Sequence, residues 1–223
     1  MPPTRNKLRY LSHSRARLQL DAADLLLFRP RPLRWCEWLW PRNWFGALVC
    51  LFGRTPYCHA AKAVACRGVW LAVETIEGQG GRAYPLERYA SELSGAVDVY
   101  RPDADRRHRF DHQGSAAKSL ELLGKPYGYR ALLLSALMHL PLVRQVTWSR
   151  LKHRLLDDNA PHDGPLYCSG AAAWADRTGG GVDPVMGLSD AFTEPGDLAR
   201  SPLYTYLFTL VSDDDPRAEE SPS

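Results

Sequence analysis

Apolar and polar positions along "YCHAAKAVACRGVWLAVETIEG" (57–78) fall into two short runs separated by Arg67-Gly68, the pattern of two strands folded back on each other. "DLLLFRP" (24–30) is a short apolar run closed by a proline and reads as a buried strand, and "AVDVYRP" (96–102) alternates as a further strand. In "GQGGRAYPLERYASEL" the glycines Gly78, Gly80 and Gly81 mark a loop, and Leu86, Tyr89 and Leu93 recur at helical spacing. Ser115 to Leu123 reads as an amphipathic helix stopped by Gly124. "YRALLLSALMHL" (129–140) reads as a more apolar, more buried helix stopped by Pro141, and 142–165 as an irregular charged loop. "LYCSGAAAWADRTGGG" (166–181) predicts a short alanine-rich helix, "FTEPGDLARSP" a loop, and "YTYLFTLV" (204–211) the last strand. Strands first, then helices, then one strand predict an α+β fold with a small antiparallel sheet packed against helices.

The chain has 223 residues, enough for one domain with trimmings, and 45% hydrophobic with 24% charged residues is ordinary for a soluble globular protein. A net charge of +3 gives no reason to expect nucleic acid as a partner. The charge is uneven, however. Residues 1–20 hold Arg5, Lys7, Arg9, Arg15 and Arg17 with no acid, and the end holds Asp213, Asp214, Asp215, Glu219 and Glu220. This predicts a basic arm (1–20), a domain (21–211) and an acidic disordered tail (212–223).

The longest apolar run, "WFGALVCLFG" (44–53), has about half the length of a membrane span, and no apolar h-region follows the basic residues. A cytoplasmic protein is expected. The Trp35–Phe45 stretch suits either a helical pair covering a sheet edge, the favoured reading, or a peripheral membrane contact. An odd number of cysteines at irregular spacing (Cys36, Cys50, Cys58, Cys66, Cys168) does not describe a disulfide framework.

If the first hairpin closes at Arg67-Gly68, residues whose numbers sum to 135 face each other. His59, Ala61, Ala63 and Ala65 then share a face with Trp70, Ala72 and Glu74, and His59 and Glu74 are diagonal neighbours. A glutamate there can fix the tautomer of the histidine and leave its other nitrogen as a base. Cys168 best suits a nucleophile, because free N–H groups and the dipole at a helix start favour thiolate. The same N–H groups suit an oxyanion. The bland alternatives are a small packing cysteine and a structural histidine. Zinc held by Cys58, His59 and Cys168 lacks the usual ligand spacing, so no metal is expected.

"PYCHAAKA", "VETIEGQGGRAYPLERY", "VDVYRP", "LGKPYGY", "YCSGAAAWA" and "EPGDLARSP", in this order, resemble the circularly permuted branch of the NlpC and papain-like cysteine hydrolases, in particular the YaeF/YiiX-type amidases. The resemblance covers roughly 20–210 and implies the order His59, Glu74, Cys168. It implies attack of the Cys168 thiolate on an amide, ester or thioester carbonyl, with His59 as base and then acid, Glu74 orienting it, and no cofactor. Peptide or cell-wall amides are the leading substrates. Lipid acyl groups, as in relatives of lecithin retinol acyltransferase, are the alternative, and a non-catalytic binding module is a third reading. Tyr57 and Tyr127 fall where similar sequences line the cleft with aromatic residues. The chain departs from the pattern with Ala23-Asp24 for Gly-Asp, Cys58 for Ser or Thr, and Gly170 for Glu.

Overall fold

The computed structural model describes residues 8–30, 44–102, 110–138 and 165–219. Seven strands form one mixed sheet in the order β1-β7-β6-β2-β3-β4-β5. They are β1 (Tyr10–Ser12), β2 (Leu25–Phe28), β3 (His59–Cys66), β4 (Val69–Ile76), β5 (Gly80–Pro85), β6 (Val97–Pro102) and β7 (Tyr204–Val211). All neighbours are antiparallel except β1 and β7, which run parallel. Among the described residues the α-helices are α1 (His13–Ala16), α2 (Trp44–Gly53), α3 (Leu86–Glu92), α4 (His112–Leu120), α5 (Tyr129–Met138), α6 (Cys168–Thr178) and α7 (Pro195–Arg200).

The β3–β4 turn is the tight one the sequence suggests. Arg67 and Gly68 both have positive φ, 49° and 82°, the conformation whose twist matches the flanking strands. Pairing runs from Cys66↔Val69 to Lys62↔Val73. Alternation then divides the strands between two layers. Leu26, Phe28, Ala61, Ala63 and Ala72 face Leu86, Tyr89 and Ala90 of α3 and Ala16 of α1. Leu25, Leu27 and Ala60 face Ala172 and Ala173 of α6 and Leu198 of α7. The sheet is thus covered on both sides.

Several expectations are corrected. Residues 80–85 form a strand, not a loop, because the glycines serve a close approach: an added Cβ on Gly81 would lie 1.8 Å from Leu122 O. The expected loop 192–202 contains α7, for which Glu194 and Asp197 form a reciprocal cap and Pro195 occupies the first turn, where its missing N–H costs nothing. The basic segment 1–20 is not all arm. Leu11 is buried in the core, and β1 pairs with β7 from Tyr10↔Thr209 to Ser12↔Val211, whereas Arg15 and Arg17 are exposed. Nor is all of 212–223 a disordered tail. Asp215 accepts from Ser94 Oγ at 2.6 Å, Arg217 stacks on Tyr10, and Ala218 is buried. Buried apolar residues anchor both segments, Leu11, Ala16 and Leu20 at one end and Ala218 at the other.

Over 129–133, where its side chains are described, α5 is less buried than its composition predicts. Tyr129 is 50% and Leu133 62% exposed. The tryptophans Trp35, Trp38 and Trp40, with the proposed membrane contact of the Trp35–Phe45 stretch, lie outside the described residues or have undescribed side chains. No helix among the described residues is long and apolar enough to cross a membrane.

Two buried polar networks centre on Asp176 and Asp98. Lys62 on β3 reaches Asp176 on α6 at 2.6 Å and Ala23 O at 3.1 Å, while Ser115 and Tyr204 also donate to Asp176. On β6, Asp98 accepts from Arg29, Tyr57 and Thr209.

Candidate active site

His59 opens β3, with its ring against Phe28 at 5.1 Å between centroids, and Phe28 stacks edge-on against Tyr89. Its Nε2 donates to Glu74 Oε2 at 2.5 Å. The Glu74 side chain is fully buried, and its second oxygen is also occupied: Arg82 Nε donates to Oε1 at 2.7 Å and Tyr89 Oη at 2.6 Å. A further bond from Arg82 to Tyr89 Oη, 2.9 Å, closes the ring of contacts. The carboxylate is therefore held on both oxygens and cannot swing away from the imidazole.

Cys168 is the first residue of α6, on the opposite layer. Tyr167 caps this helix without a side-chain acceptor, so the first-turn N–H groups remain available. The sulfur takes hydrogen bonds from the His59 ring and from the backbone N–H groups of Ser169 and Ala60. Since Nε2 serves Glu74, Nδ1 is the nitrogen that meets sulfur. The two layers meet at the open end of β3, past the last paired residues Lys62↔Val73, where the Ala60 N–H turns to sulfur.

The charges support one another. Burial works against ionisation of Cys168, but the adjacent imidazolium and the three hydrogen bonds outweigh it and lower the thiol below its ordinary value. For His59 burial again opposes the charged form, and the Cys168 and Glu74 charges raise it to about 10. Burial would raise Glu74, yet His59, Tyr89 and Arg82 hold it down to about 2. The neighbours of each group thus favour its charged form, against the cost of burial.

This has a consequence for stability. Glu74 binds its proton less readily folded than unfolded, so its contribution is complete above the ordinary value of 4.5 and lost as pH falls through about 2. The expected size is about 3 kcal/mol. Thermal melts of Glu74→Gln against the parent chain should differ most above pH 4.5 and converge toward pH 2. Equal differences at every pH would contradict the assignment.

The structure brings together Cys168, His59 and Glu74. Tyr127 also lies beside Cys168, in a buried cluster with Tyr167 that Ala131 and Leu132 of α5 cover. Gly128 permits this, since a Cβ there would meet Pro165 O at 2.4 Å. Tyr57 is not brought to the site. It is fully buried, donates to Asp98 at 2.6 Å and accepts from Tyr100 at 2.8 Å, so it belongs to the core rather than to a cleft. Gly170 has a steric reason: a side chain there would strike Asp190 O at 2.4 Å. Arg82 and Tyr89 were missed by sequence reasoning. The β4–β5 register places Arg82 directly across from Glu74, a pairing hidden once 78–81 is read as a loop.

No protein-family model matches the chain, and no curated protein matches its sequence. Among solved structures, the metalloprotein YiiX from Escherichia coli O157:H7 aligns with 86% of this chain and 98% of its own, at a TM-score of 0.53 and 14% identity. At that identity the likeness is one of fold. Among the described residues no group of three or more His, Cys, Asp or Glu side chains is placed to hold a metal ion.

Proposed function

We propose that this chain is a thiol-dependent acyl hydrolase of circularly permuted papain-like construction, acting on an amide bond through a thioester. The observation that carries the reading is the Cys168 sulfur, at a helix start, hydrogen-bonded to an imidazole whose other nitrogen is fixed by a buried glutamate. The fold likeness to YiiX and the chain order His59, Glu74, Cys168 agree with it.

The Cys168 thiolate attacks the carbonyl carbon, and the electron pair of the C=O bond moves to oxygen. Collapse of that intermediate breaks the C–N bond while the His59 imidazolium gives its proton to the departing amine. His59, now neutral, takes a proton from water as the water attacks the thioester. The acid leaves and the thiolate–imidazolium pair returns. Glu74 keeps the ring oriented and balances its charge throughout, and Arg82 and Tyr89 are positioning residues for Glu74.

One observation favours a second substrate class for the same chemistry. Leu133 and Tyr129 expose apolar surface on α5, the helix that covers the Tyr127–Cys168 cluster, which suits the acyl chain of a lipid ester.

The test is to mix the protein with peptide anilides and with long-chain acyl esters, quench in acid and measure the intact mass. The expected result is an acyl adduct on Cys168 that hydroxylamine removes. If no adduct forms with either class, and Cys168 alkylates no faster than free cysteine, the reading falls and a binding module takes its place.

A further inference from the structure

Cys168 is 6% exposed, so a bulky reactant reaches its sulfur only when part of the cover moves. His59 does not supply that movement, because its ring is bonded to Glu74 at 2.5 Å and lies against Phe28. On the other side the cover is Tyr127, with Ala131 and Leu132 of α5 packed on it. The chain before α5 is clamped. Gly81 N donates to Lys125 O at 2.8 Å, Gly124 N to Gly81 O at 2.9 Å, and Gly128 N to Leu166 O at 3.1 Å. The first turn of α5 is held more lightly. Its outer side chains Tyr129 and Leu133 face solvent, and the helix packs against the short turn Asp190–Phe192. Toward the sheet it is tied by a side chain: Gly78 N, in the exposed turn between β4 and β5, donates to Tyr129 Oη at 2.7 Å. The Tyr129 ring also stands edge-on against Tyr127, with 4.9 Å between centroids.

We infer that Tyr129 determines access to Cys168: its bond to Gly78 holds the first turn of α5 closed across Tyr127, and bulky reactants enter when that bond opens. Water competes for a hydrogen bond between exposed groups, so its net worth is small and the cover opens readily. A site that turns over needs this, since the same segment must admit the reactant and release the product. The tyrosine touches no reacting atom; it acts through the helix turn and the Tyr127 ring that it carries. What this means for substrates rests on the hydrolase reading: Tyr129 then discriminates acyl groups by size. The control of access itself does not rest on it, because it concerns only the route to the sulfur.

The experiment uses two reagents of one chemistry and different size, N-methylmaleimide and N-(1-pyrenyl)maleimide. Each is applied to the full reduced chain and to Tyr129→Phe, which keeps the ring and removes the hydroxyl. Timed samples are quenched with excess thiol and digested with trypsin, and mass spectrometry follows peptide 155–177, in which Cys168 is the single cysteine. The pyrenyl rate at Cys168 should rise about fivefold in the variant, the equilibrium worth of one such hydrogen bond, while the N-methyl rate changes by less than about twofold. An unchanged or slower pyrenyl rate would overturn the inference. So would both rates rising together, the result of a general loosening of the domain or of a change in the thiol itself. A chain that forms no acyl adduct can still give the expected ratio, so this inference and the hydrolase reading fail separately.

Discussion

Cys168→Ala is expected to abolish turnover, with a loss of about 10⁴-fold or more, because no other group at the site can carry the acyl intermediate. His59→Ala should cost about 10²–10⁴-fold in kcat, the range for a lost acid–base group. Its diagnostic effect is on the sulfur itself. Without the imidazolium the sulfur keeps only the Ser169 and Ala60 N–H bonds against the cost of burial, and the thiol should rise toward or beyond its ordinary value. Iodoacetamide alkylation of Cys168 at pH 7 should then slow by about tenfold, since a free thiol is only a few per cent ionised there. An unchanged alkylation rate in a variant that melts normally would show that His59 does not activate the sulfur.

The largest expected effect on stability comes from Lys62→Met. The ammonium group is 1% exposed and is the charge partner of Asp176, whose carboxylate is fully buried. Removing one member of a buried pair strands the other, at a cost of about 3–5 kcal/mol. For a chain of this size that corresponds to a fall of about 10 °C or more in Tm. Lys62→Met combined with Asp176→Leu should recover much of the loss, because two apolar groups leave no charge stranded. If the double variant melts below the single one, the network around Asp176 is held mainly by Ser115 and Tyr204.

The part of the site on β3 and β4 was legible from the sequence because it depends on one turn. Once Arg67-Gly68 closes the hairpin, period-two alternation alone brings His59 and Glu74 to one face. The helix start at Cys168 was equally local, set by an alanine-rich run. Which face the helix covers was not. Nothing in either pattern says that α6 packs on the side of Ala60 rather than of Ala61, since alanine occupies both faces of β3. Tyr57 was misread for a related reason. An aromatic residue beside a histidine suggests a cleft, yet its hydroxyl is claimed by Asp98, forty-one residues away, through strand pairing that a local reading does not reveal. Arg82 and Tyr89 required β5 to be recognised, and the glycines that admit a close backbone contact are the same residues that mark a loop.

The division of the three groups between the two layers gives sulfur and imidazole separate moorings. The histidine and glutamate are fastened to Phe28, Tyr89 and Arg82 on one side, whereas the cysteine rides on a helix pinned eight residues further on by Asp176. Slippage of that helix by a fraction of a turn would disarm the nucleophile and leave the acid–base pair intact. The sheet between them acts as the jig that sets the gap, so reactivity at one atom reports the mechanical soundness of the whole domain.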